Sequence, residues 1–174
     1  MAKKQKNLVK SLILIVLGVV SILAFFVTPF FKCTFDGLGM NESSNFNMFG
    51  VNKEDGYTTK MKEALDMLNK SNAYTAFNLV KIFAIVAIVL LLVIAVLEIL
   101  KFAKIDLGQI EVFVGYALLL VTLLVLAFSI AFFCGSTNKN FMSSGIKVFF
   151  STGISFYFVL VPGFVSGALA SLSK

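Results

Sequence analysis

Residues 82–100 read IFAIVAIVLLLVIAVLEIL, an unbroken apolar run except for Glu98, closed at its two ends by Lys81 and Lys101. A helix of about 20 such residues crosses a hydrocarbon layer roughly 30 Å thick, and a soluble core helix does not need apolar residues on every face. The run is therefore a transmembrane helix. Working outward from it, three further stretches meet the same test: 11–31, 112–134 and 148–172. None shows the alternation of a barrel strand. The fold class expected is an all-α membrane protein, a bundle of four transmembrane helices.

Composition agrees with the spans. Of 174 residues, 59% are apolar and 14% charged, too apolar for a soluble core with a polar surface. The 15 basic residues are all Lys; Arg, His and Trp are absent, and Phe reaches 20. Without His there is no imidazole base and no common zinc site, and without Arg no bidentate clamp for phosphate. The net charge of +6 lacks the basic, aromatic-bearing soluble face of a nucleic-acid partner, so none is expected. Lys-for-Arg and Phe-rich usage is what AT-rich codons produce, which points to a low-GC bacterium.

The N-terminal run follows Lys3, Lys4, Lys6 and Lys10, as a signal peptide would. It continues through Phe30 and Phe31 without small cleavage-site residues, beyond the 7 to 15 of a secretory core, and reads as an uncleaved helix. Lys density near the span ends places residues 1–10, the turn 101–111 and the C-terminus 173–174 in the cytoplasm of a plasma-membrane protein. Two segments then lie outside: 32–81, which is the large loop, and 135–147.

The large loop opens with Gly, Asn and Ser clusters around short apolar pieces such as Met48 and Phe49, the pattern of short strands and turns. Over 58–72, Met61, Leu65 and Leu68 are spaced 4 and 3 apart, which predicts an amphipathic helix. Its apolar face could lie on the membrane, on the loop's own strands, or, with Met48 and Phe49, against a partner.

Several constellations could carry chemistry. Cys33 and Cys134 end the two outward-going spans at similar depth, so a disulfide is geometrically open to them, as is a reading as two small apolar residues. No C-x-x-C pair accompanies them. Glu98 lies near the cytoplasmic end of its span, three residues from Lys101, as half of an exposed interfacial ion pair or as a coupling or partner-binding carboxylate; Asp106 and Glu111 read as a solvated turn. The remaining spans carry no mid-depth charge, which argues against proton-coupled transport. Gly163, Gly167 and Ser171 form a small-residue stripe beyond Pro162, for packing inside the bundle or between subunits. Ser151, Thr152, Ser155 and Tyr157 make the first half of the fourth span its most polar part, for interhelical hydrogen bonds or a water-filled pathway. No catalytic group, cofactor, metal or small-molecule substrate is expected.

The order of features resembles the claudin-like tetraspan family: short inner N-terminus, helix, a loop of strands and then a short helix, and three more helices. Of that family's loop signature, Gly37-Leu38 stands here, followed by Gly39, with one loop cysteine, Cys33, and no Trp. The resemblance implies a left-handed bundle topped by a small sheet and working by lateral or face-to-face association. The expected function is non-enzymatic assembly with copies of itself or another membrane protein, through the large loop and the fourth helix. An oligomeric channel subunit and an immunity or sensor protein for a secreted partner are the alternatives.

Overall fold

The computed structural model describes every residue except 1, 38–39, 55–56, 68–69, 106, 137, 142–145 and 173–174. Leu38, Gly39, Leu68 and Asp106 of the expectations lie outside the described residues. Among the described residues, five helices and six strands run in the order α1 (Ala2–Val27), β1 (Phe31–Gly37), β2 (Met40–Phe46), β3 (Val51–Glu54), β4 (Tyr57–Lys60), α2 (Met61–Met67), α3 (Ser71–Phe102), α4 (Gly108–Ser136), β5 (Asn138–Phe141), β6 (Ile146–Thr152) and α5 (Ile154–Ser171). Helices α1, α3, α4 and α5 are long and apolar enough to cross a membrane, and this is a multi-pass membrane protein. Their exposed apolar side chains, such as Leu23, Val89, Phe113 and Val161, face outward all round the bundle, where a soluble protein would place charge.

Around the bundle the order is α1, α3, α4, α5, with α1 packed on α3 and α5, and α4 across the diagonal from α1. The start of α1 and the end of α5 lie at one end, which carries the bundle's buried charges; the strands gather at the other.

Several boundaries differ from the sequence reading, and α4 runs Gly108–Ser136 rather than 112–134. α1 stops at Val27, not 31, because Pro29 forces Thr28 out of helical backbone and Phe31 already begins a strand. α3 begins at Ser71, well before 82, since hydropathy marks where a helix enters lipid and not where it starts. Residues 148–152 form β6 and not membrane helix; the extended chain turns into α5 at Gly153. The amphipathic helix is likewise shorter than 58–72, because 57–60 pairs as β4 with β3.

The main sheet joins both loops in the order β2-β1-β6-β5, all antiparallel. β1 pairs with β2 from Phe31↔Phe46 and with β6 from Phe31↔Thr152. Period-two alternation decides its faces. Phe31, Cys33, Phe46, Val148 and Phe150 point at the bundle and are buried, whereas Lys32, Asp36, Ser43, Asn45 and Ser151 are exposed.

Aromatic rings join sheet to bundle. Phe31 lies 5.6 Å from Phe77 of α3 and 5.0 Å from Phe132 of α4, centroid to centroid, and Phe132 lies 5.4 Å from Phe150 of β6. Phe30 packs edge-on against Phe156 of α5 at 5.6 Å and against Phe25 of α1 at 6.4 Å. Such pairs add about 0.5–1.5 kcal/mol each beyond their burial, so the sheet is fixed to all four helices through its first residues.

Candidate functional site

The terminal end of the bundle holds a ring of charge. Glu98 and Glu111 are fully buried. Lys101 Nζ donates to Glu98 Oε1 at 3.0 Å and also to Glu111; Lys10 Nζ donates to Glu111 Oε1 at 2.9 Å; Ser11 Oγ donates to Glu98 Oε2 at 2.5 Å. Lys10 and Ser11 are consecutive on α1, so the chain of bonds closes on itself across α1, α3 and α4. Among the described residues two ammonium and two carboxylate groups balance in it, the condition under which buried charge is tolerated. The Lys10 to Glu111 bond crosses the bundle's diagonal, from α1 to α4.

This corrects the reading of Glu98 as half of an exposed pair and of Glu111 as a solvated turn residue. Glu111 lies in the first turn of α4, where the helix dipole favours an anion, and α1 supplies the cover that the local spacing could not reveal.

The small-residue stripe is used within the chain. A Cβ on Gly163 would stand 2.5 Å from Thr122 Oγ1 of α4, and one on Gly167 2.8 Å from Leu119 Cγ. Opposite them, a Cβ on Gly115 would meet Ser171 N at 2.6 Å and Ala170 Cβ at 2.9 Å. Of the two readings left open for Gly163, Gly167 and Ser171, packing inside the bundle describes what they do here.

The four polar residues do not form one pathway. Ser151 and Thr152 are strand residues, and Thr152 Oγ1 donates to Tyr157 Oη at 2.8 Å on the exterior. Ser155 is buried in the seam between α1 and α5, 2.6 Å from Thr28 Oγ1 and 2.8 Å from the Ala24 carbonyl. Helix geometry from Gly153 onward separates Ser155 from Tyr157, which faces out.

Nor do the cysteines join. Both are free thiols: Cys33 is buried between Ser44 and Phe150 in the sheet, and Cys134 is exposed on α4. Strand pleat turns one inward and helix phase turns the other outward. Burial pushes the Cys33 thiol up to about 12 from 9.0, because the low-dielectric interior disfavours thiolate.

Of the residues singled out for partner contact, Met48, Met61 and Leu65 are buried in the core that links the loop to α3. The α2 face packs on the protein itself. Phe49 alone of the described members is exposed. What the sequence reading missed is the open face of the sheet, with Lys32, Asp36, Ser43 and Asn45 on display; its period-two polarity was visible but short.

No protein-family model matches this chain, and no curated protein sequence matches it.

Proposed function

We propose that this protein works without catalysis, as a membrane-held binding platform. Its sheet faces the cell exterior, both termini are cytoplasmic, and the open sheet face engages another membrane or secreted chain, or a second copy, as the claudin-like layout implies. The observation that carries this reading is the construction of the sheet. Two loops far apart in sequence build one antiparallel surface, the aromatic core beneath it fixes it to the bundle, and its other face is left exposed, with Lys32, Asp36, Ser43, Asn45 and Ser151 beside Phe149. A surface held that rigidly loses little freedom on binding, which is how preorganisation raises affinity. Helix α5 drops out of the binding role, because its small residues are already packed on α4.

The test is site-directed photocrosslinking in the native cell, from Thr34 and Asn45 on the open face and from Tyr116 on the lipid-facing side of α4. The reading requires the same discrete partner, or a dimer of this chain, from both sheet positions and not from Tyr116. Lipid-only adducts from all three positions, with the chain folded and at the membrane, would sink it.

A further inference from the structure

The turn between β2 and β3 presents one apolar side chain on a fixed support. Asn47 Oδ1 accepts hydrogen bonds from the Phe49 and Val51 amides, both at 3.0 Å, and Gly50 N donates to the Asn47 carbonyl at 2.9 Å. Gly50 has φ +73°, open to glycine at no cost, and its carbonyl accepts from Met61 N at 2.7 Å. Met48 points inward and is 1% exposed; Phe49, its neighbour, is 55% exposed. Chain flexibility does not account for that exposure, since the backbone on both sides of Phe49 is tied down by these bonds.

The height of the turn follows from α3. Lys81 and Lys101 bracket the apolar stretch, and about 20 residues at 1.5 Å rise span about 30 Å, the thickness of the hydrocarbon layer. Lys81 thus marks the boundary on the sheet side, and Phe77 is about 6 Å beyond it by the same rise. A Cβ on Gly50 would stand 2.8 Å from Phe77 Cζ. Lys81 Nζ lies over that same ring, 6.0 Å from its centroid. The turn is therefore seated at headgroup level. Lys60, directly opposite Val51 in the β3–β4 pair, is exposed beside it.

We propose that the 47–50 turn is a membrane-surface anchor: Phe49 enters the boundary between headgroups and acyl chains of the leaflet on the sheet side, with Lys60 against lipid phosphate. An aromatic ring with a neighbouring ammonium is the pairing that interfacial segments use. The turn sits at the level of Phe77, about one helical turn beyond Lys81, so lipid headgroups are the neighbours at that height. The anchor fixes the sheet's tilt against the bilayer, and it does not depend on the binding role proposed above.

The chain contains no Trp, so Phe49→Trp creates a single reporter. It would be measured in nanodiscs of phosphatidylcholine and phosphatidylglycerol, with and without acyl chains brominated near the carbonyl. Val89→Trp on the lipid-facing side of α3 is the positive control, and Phe149→Trp on the open sheet face the aqueous one. The expected result is that brominated lipid removes about half or more of the indole emission of Phe49→Trp, as for a ring inserted at the acyl boundary, while acrylamide quenches it far less than the reporter at position 149. Quenching by acrylamide and not by bromine overturns the anchor, and protection from both overturns it in favour of a protein neighbour. If the Phe49→Trp variant does not fold, a nitroxide on Phe49→Cys in a Cys134→Ser background reads the same question: oxygen access above nickel-chelate access supports the anchor, and the reverse refutes it.

Discussion

Replacing Glu111 by Gln removes one carboxylate from the closed ring and leaves its two described ammonium groups, Lys10 and Lys101, facing Glu98 alone. At 2.9 Å and an effective dielectric of about 20, the lost attraction between Lys10 and Glu111 is about 6 kcal/mol before desolvation is credited back. Breaking a buried pair by removing one member costs about 3–5 kcal/mol in practice. Here the Lys10 and Lys101 side chains keep 23% and 29% of their exposure, so each ammonium can turn partly toward the interface and recover solvation. The expected destabilisation is about 2–3 kcal/mol. Adding Lys10→Met restores the balance and leaves the Lys101 to Glu98 pair intact, so the double variant should be about 1 kcal/mol more stable than Glu111→Gln alone. The assay is reversible unfolding by SDS titration in mixed micelles, followed by circular dichroism. A Glu111→Gln cost below about 0.5 kcal/mol, or a double variant no better than the single, would refute the ring as a balanced buried unit.

The remaining predictions concern packing and reactivity. Gly163→Ala should cost about 1–3 kcal/mol by overpacking against Thr122, and Thr122→Ala should recover much of it in the same titration, because the obstructing atoms belong to that side chain. Gly115→Ala meets the Ser171 backbone and should be rescued by no side-chain truncation on α5. Gly50→Ala strains a positive φ and strikes the Phe77 ring, so the sheet-side domain should become protease-sensitive while the helices stay intact. In folded protein a maleimide should label Cys134 and spare Cys33. At a pKa of about 12 against 9.0, Cys33 has about 1,000-fold less thiolate near neutrality. The sign for stability follows: above pH 9 the unfolded thiol ionises while the folded one does not, so Cys33's contribution is held below that pH and lost as pH rises toward 12. Equal labelling of both thiols would mean that β1 opens.

The four helices were legible because hydrophobicity on every face has one structural use. Their ends were not, for different reasons at each. The apolar residues 148–152 merge with the span that follows, and only Ser151, Thr152 and Gly153 hint that the backbone is extended there. The first turns of α3 carry Asn72, Thr75 and Asn78 and lie beyond the hydrocarbon layer, where polarity says nothing against helix. The charge ring was hidden by sequence distance: Glu98 and Lys101 are visible as neighbours three apart, but Ser11 and Lys10 reach their partners from 87 and 101 residues away. The reading of Met61 and Leu65 found a real apolar face and left open what it packs on; periodicity gives a face and not its occupant.

The pairing of β1 with β6 also sets a schedule for biogenesis. Phe31 and Thr152 are separated by about 120 residues, and at a synthesis rate of about 5–20 residues per second β1 waits some ~6–24 s for its second neighbour. During that interval three helices have been made, yet one long edge of β1 is bare and the inward side chains Phe31 and Cys33 lack the cover of Phe150 and Val148. The strand that closes the sheet thus comes immediately ahead of α5, the fourth candidate membrane helix among the described residues. A nascent chain halted before residue 146 is an open-edged intermediate, and quality control has a physical mark by which to tell it from the finished protein.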